Sequence, residues 1–302
     1  MSFFPQDLKK EVEFCAEHDM YYLIPSGTVA DEAFESVEDN VAFLGVVGPG
    51  KEIEYQAGAD LAQYCVDTGK GDTYLILTGG SASGNEMHRV RTTAMLNTLA
   101  ADYGVTLPQN SEELATVTES VTISEGALTL VLCPGYLEMD GVKESILEEL
   151  QSSKAKQVLC AMVATDIADE VSAEGAELAM IDSYTQVNQE LFNSGTLQYV
   201  TGKYGSIIGP SFALMYNAVT GYADEFREDG KAVQVEQGFW TSDNHDDYTE
   251  KYSIASGIYV NAYNYEDLRS VCKVFNPDAN LEQLKELAKA YTYEDVLARR
   301  ER

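Results

Sequence analysis

The residues best placed for chemistry lie together at the start of one helix. Asn85, His88 and Arg89 follow the loop Thr78-Gly79-Gly80-Ser81-Ala82-Ser83-Gly84, which is too rich in Gly and Ser for helix. An amide, an imidazole and a guanidinium on one turn can donate and accept hydrogen bonds to a small polar ligand. A Gly-rich loop before a helix also suggests phosphate, but a P-loop needs Lys-Ser/Thr after its last Gly, and here Asn85-Glu86 follow Gly84. The run GGSASG does not supply GxGxxG either. Ser81 and Ser83 lack the GxSxG frame of a nucleophile elbow. Two plain alternatives stand beside the ligand reading: a turn that simply needs glycine, and an Arg89–Glu86 pair on the helix surface.

The elements around this loop are strand and helix. Tyr74-Leu75-Ile76-Leu77 is a short apolar run suited to a strand buried on both faces. Asn85 stands as an N-cap, and Met87, Val90, Ala94, Met95, Leu99 and Ala100 form an apolar face at helical spacing. The alternation extends along the chain. Strands are predicted over Met20 to Ile24, Val41 to Val47, Val117 to Ile123, Leu128 to Cys133, Gln157 to Val163, Leu178 to Ile181, Leu197 to Thr201 and Val233 to Trp240. Helices are predicted between them, including a long one from Ile207 to Phe226, and the tail is mostly helical. Such alternation means an α/β protein with parallel sheets, whose ligands sit beyond the carboxyl ends of the strands.

Tyr136, Tyr184 and Tyr204 each fall just past a strand end, where an aromatic platform for a ligand would lie; rim or core packing is the plain reading of each. Asp182 closes the Leu178 to Ile181 strand and could instead cap the helix that follows.

Bulk properties remove several function classes. The 302 residues carry 20 Lys+Arg against 50 Asp+Glu, a formal charge of −30, so nucleic acid and anionic membrane are not expected partners. No apolar run is long enough to insert into a membrane. The five cysteines are scattered without a CxxC, the three histidines share no metal spacing, and Asp243-Asn244-His245-Asp246-Asp247 lacks the glycine and glutamate of a calcium loop. Neither metal nor cofactor is expected, and Thr241 to Asp247 reads as a polar loop.

Five separate stretches resemble, in order, type I periplasmic-type substrate-binding proteins, the sugar-binding components of ABC importers, whose fold is shared with the effector domain of lac-repressor-type regulators. They are VVGPGKEIEYQAGADLAQYC, the Gly/Ser loop with Arg89-Val90-Arg91, AMVATD, MIDSYT and GTLQYVTGKYGSIIGPSFALMYNAVTG, spanning roughly residues 20 to 240. The resemblance implies two doubly wound parallel-sheet lobes joined by a strand hinge, closing on a ligand. It implies a non-catalytic receptor for a sugar or similar small polar solute, with the membrane subunits of an importer as partners and an extracytoplasmic place of work. The second function it allows is the effector domain of a regulator. Carried over by position, Arg89 matches a sugar-hydroxyl ligand, Asp182 a cleft aspartate and Lys203 a polar hinge residue. Ser26 and Thr165 depart from the family's usual Asp-Arg and Asn at their positions.

The implied division is 1–48 with 203–235 as the remnant of an N-terminal lobe, 49–202 as the ligand-binding C-terminal lobe, and 236–302 as a last crossover strand and helical tail. The family's first lobe begins with three more strands than precede the helix Gln6 to Glu17. The first lobe is therefore expected to be incomplete, with Met20 to Ile24 at an unpaired edge and the chain starting inside a longer protein.

Overall fold

The computed structural model describes residues 5, 7–25, 27–202, 208–255 and 262–300. Its strands are β1 (Tyr22–Pro25), β2 (Phe43–Gly48), β3 (Thr73–Gly79), β4 (Val121–Glu125), β5 (Leu128–Pro134), β6 (Gln157–Cys160), β7 (Glu177–Ile181), β8 (Leu197–Gly202), β9 (Val233–Glu236) and β10 (Trp240–Ser242). They fall into two compact units, 1–50 with 203–240 and 254–302, and 51–202 with 241–253. The tail beyond residue 253 thus folds with the first unit.

In the first unit, β1, β2 and β9 form a parallel sheet in that order. Successive side chains of a strand point to opposite faces, so both faces of this sheet need cover. Leu23, Leu44, Val47, Val233 and Val235 pack with Leu214, Phe226 and Leu284 on one side. Tyr22, Ile24, Phe43 and Val46 pack with Leu8, Val12 and Phe34 on the other. Gly45 has φ +130°, and a Cβ there would run into the backbone of Val233, so the β2–β9 approach requires glycine.

The second unit carries a seven-stranded sheet in the order β10-β8-β7-β6-β3-β5-β4. β3, β5, β6, β7 and β8 are parallel, whereas β4 pairs antiparallel with β5 through a turn at Gly126. Counted in chain order, the parallel strands lie second, first, third, fourth, fifth. The chain therefore goes from β3 to β5 on one side and then crosses back to β6 on the other, so the direction of winding reverses between β3 and β6. A crevice at that reversal, beyond the carboxyl ends of β3 and β6, is where this topology places ligands. Tyr74, Leu75, Ile76 and Leu77 of β3 are fully buried, as a central strand covered on both faces demands.

Three expected elements differ. The long helix Ile207 to Phe226 is helical over Ile208–Asn217, loosens through Ala218–Tyr222 where Gly221 adopts φ +97°, and ends in a 3-10 turn, Ala223–Phe226. The single strand Val233 to Trp240 is two, β9 and β10, separated by residues 237–239. The polar loop Thr241 to Asp247 is shortened because the Asn244 side chain accepts from the Asp247 N–H and starts a helix, His245–Ala255.

Candidate functional site

The carboxyl end of β3 leads into a 3-10 turn, Gly80–Ser83, and then into the helix Glu86–Asp102. Asn85 is its N-cap: Oδ1 accepts from the His88 N–H at 3.2 Å, while Nδ2 donates to the Tyr136 hydroxyl at 3.0 Å. Glycine is required at two points of the turn. A Cβ on Gly79 would press on His88 Nδ1 and Met162 Sδ, and one on Gly80 would enter the Tyr136 ring. The loop is bare so that His88 and Tyr136 can close on its backbone. Their rings meet at 5.7 Å between centroids, tilted by 58°.

His88 is buried and neutral. The Gly80 N–H donates to its Nδ1 at 3.0 Å, which leaves the ring proton on Nε2. Burial, helped by the nearby Arg91 charge, pushes its pKa down to about 3.

The cations near this turn are matched by carboxylates. Arg89 grips Glu86 with two hydrogen bonds, Nε–Oε2 at 2.8 Å and Nη2–Oε1 at 2.7 Å, and also reaches Glu112 at 3.3 Å. Lys51 approaches Glu86 at 3.2 Å. Hydrogen bonds from Arg89 and Lys51 hold the Glu86 carboxyl below its ordinary range. Glu86 thereby occupies the positive end of its own helix, the place a phosphate would take.

Arg91 lies on the other side of that helix and is buried. Its Nε pairs with Glu54 Oε2 at 2.5 Å, and Nη1 donates to the Ala161 carbonyl, just past β6, at 2.9 Å. Glu54 is fully buried, with Oε1 lacking a hydrogen-bond partner among the described residues. The helix Lys51–Asp67 can bring Glu54 this close because Gly58 lies against the Arg91 backbone.

At the neighbouring strand ends, Thr165 opens the half-buried 3-10 turn Thr165–Ile167 beyond β6. Asp182 follows β7; its Oδ2 accepts from Asn188 Nδ2 at 2.7 Å, and burial raises its pKa. The helix Gln186–Ser194 is capped by Thr185 rather than by Asp182. Tyr184 is no ligand platform: it is fully buried, stacked on Tyr248 at 4.9 Å, with its hydroxyl 2.9 Å from Ser242 Oγ.

The structure thus gathers Asn85, His88 and Tyr136 at one turn, and sets Arg89 beside them with its guanidinium occupied by Glu86 and Glu112. Thr165 and Asp182 stand at adjacent strand ends of the same sheet. Ser26, Lys203 and Tyr204 lie outside the described residues. Arg91 and Glu54 were not among the expected site residues. A signal existed for Arg91, since it falls on the helix's apolar stripe with Met87, Ala94 and Met95, where a charge needs a buried partner. Among the described residues there is no group of three His, Cys, Asp or Glu able to hold a metal ion, and no helix long and apolar enough to cross a membrane.

No protein-family model and no curated protein matches this sequence. Solved structures do match its fold. A galactofuranose-binding protein aligns with a TM-score of 0.55 and 9% identity, covering 82% of each chain. A periplasmic solute-binding protein of an ABC transporter from Actinobacillus succinogenes 130z, with bound D-allose, aligns with a TM-score of 0.54 and 11% identity, over 80% of this chain and 83% of that one. A protein assigned as a LacI transcriptional regulator from Bacteroides fragilis aligns with a TM-score of 0.51 and 10% identity, over 82% and 74%. The resemblance read from the sequence is therefore borne out as a fold: α/β, with a mostly parallel sheet, like type I periplasmic sugar-binding proteins and LacI-like regulators.

Proposed function

We propose that this protein is a non-catalytic receptor that captures a sugar or similar small polar solute for an ABC importer, working outside the cytoplasm. The observation that carries this reading is the convergence of Asn85, His88 and Tyr136 at the carboxyl ends of β3 and β5, beside the strand-order reversal of the second unit, with Thr165 and Asp182 at the ends of β6 and β7. An amide, a neutral imidazole, a phenol and a carboxyl offer donors and acceptors on groups that sugar hydroxyls can complement. The same set is poorly suited to catalysis. His88 has Nδ1 occupied by a backbone N–H and a pKa far below neutrality, so it is a weak base.

The likeness to a protein assigned as a LacI regulator supports a second reading, an effector-binding domain responding to the same class of solute. The formal charge of −30 opposes it, because a DNA-bound protein must neutralise phosphates. A thermal-shift screen against pentoses, hexoses and nucleosides tests the solute reading, since a ligand held only by the folded protein raises the melting temperature. A rise of several degrees with at least one of them is expected. No shift with any of them contradicts it.

A further inference from the structure

In the first unit, β9 pairs with β2 on one side and with no other strand among the described residues. Its side chains alternate. Val233 and Val235 are buried on the face that packs against Leu284 and Ala288 of the helix Leu281–Lys289, while Gln234 and Glu236 are exposed on the opposite face. A cavity of about 550 Å³ is lined by Gln234 and Glu236 of β9 and by Glu282, Lys285, Glu286 and Lys289 of that helix. A space that touches side chains above the strand and a helix below it opens round the edge of β9 that faces away from β2.

The edge of a strand presents backbone N–H and C=O groups in a row, and the backbone of another extended chain is what matches that row. The walls argue against a small solute. Small-molecule pockets are mostly apolar with a few polar groups, whereas all six side chains here are polar or charged. Charge then selects the partner. Lys285 is tied to Glu228 at 2.7 Å, and Lys231, just ahead of β9, to Glu38 at 2.5 Å. Among the lining residues this leaves Lys289 against the carboxylates of Glu236, Glu282 and Glu286, in a chain whose formal charge is −30. A second copy of this chain would bring further carboxylates to an acidic groove, so charge opposes self-pairing there.

We propose that the groove between β9 and the helix Leu281–Lys289 is a docking site for an extended, lysine- or arginine-bearing segment of another protein, which adds a strand to β9. Main-chain hydrogen bonds to β9 supply affinity that does not depend on sequence, and Glu236, Glu282 and Glu286 select positive side chains. β9 has four residues, a length of about 13 Å at roughly 3.3 Å per residue, so a segment of roughly four to six residues fills it.

Fluorescence anisotropy of a labelled octapeptide of alternating lysine and valine, titrated with the whole chain in about 0.15 M salt, tests this, since screening removes long-range attraction to the acidic surface. The peptide is expected to bind at least tenfold tighter than its glutamate–valine counterpart. Glu282→Gln with Glu286→Gln should weaken it at least fivefold. Glu144→Gln with Glu148→Gln, the same loss of charge at the same spacing on the exposed side of a helix in the second unit, should leave it within twofold. Neighbouring N–H groups of a strand point to opposite edges, so N-methylation of the odd-numbered or of the even-numbered peptide residues acts on one edge at a time. One methylated peptide should lose at least tenfold in affinity while the other stays within threefold of the parent. Equal affinity of the two methylated peptides overturns strand addition, and equal weakening by the two paired substitutions overturns the groove as the place of binding. Displacement of the peptide by an equal concentration of spermine, or no binding of the peptide at all, also overturns the proposal.

Discussion

Arg91 donates to the carbonyl of Ala161 at 2.9 Å and so ties the helix Glu86–Asp102 to the carboxyl end of β6. Because it also pairs with the fully buried carboxylate of Glu54, this arginine holds together two helices and a strand end behind the candidate site. Removing it leaves a buried carboxylate without its counter-charge. Arg91→Met is expected to destabilise the protein by about 3–5 kcal/mol in urea unfolding. Arg89→Ala, which opens a partly exposed pair, should cost about 0–1 kcal/mol. Equal effects of the two substitutions would contradict the assignment of Arg91 as the structural arginine.

The buried neutral His88 gives stability a pH dependence. Its folded pKa of about 3 lies below the ordinary 6.5, so between those values the unfolded chain takes up a proton that the folded protein refuses. Stability attributable to this residue is complete above pH 6.5 and falls as pH drops toward 3, by at most about 1.4 kcal/mol per pH unit. The lowered Glu86 acts in the same direction below its ordinary 4.5, whereas the raised Asp182 opposes it. In urea titrations at several pH values, His88→Gln should flatten the slope between pH 6.5 and 5. An unchanged slope in a folded variant would show that His88 takes up a proton freely.

Backbone protection should follow strand position. β3 is hydrogen-bonded on both sides, to β5 and to β6, and is buried throughout its centre. β1 is paired to β2 alone among the described residues and stands at the edge of its sheet. Hydrogen exchange is expected to be slowest in Tyr74–Leu77 and Val158–Cys160, and at least tenfold faster in Tyr22–Ile24, since edge strands open at lower cost. Comparable protection in both would contradict this ranking.

Much of this architecture was legible in the residues. The apolar runs of β3, β6 and β7, and Asn85 as an N-cap, are local signals that tertiary packing preserved. The site was only half legible. Arg89 and Arg91 lie about 200° apart on a helix, so one faces Glu86 and Glu112 and the other Glu54, yet the partner of Arg91 is 37 residues away and no local pattern announces it. Tyr184 reads like a rim residue because it follows a strand, but the helix His245–Ala255 brings Tyr248 down onto it. The break at Gly221 is a backbone property: a positive φ in mid-pattern is invisible to apolar periodicity.

A solute held at the strand-end turn of the second unit, as proposed, would depend on Tyr136 and Asp182 for its affinity. The most direct measurement is calorimetry with whichever neutral sugar or nucleoside most raises the melting temperature, on the parent protein, Tyr136→Ala and Asp182→Ala. Loss of at least tenfold in affinity, about 1.4 kcal/mol, is expected in each variant with the melting temperature of the free protein largely kept. Affinities within threefold of the parent in both folded variants would contradict it.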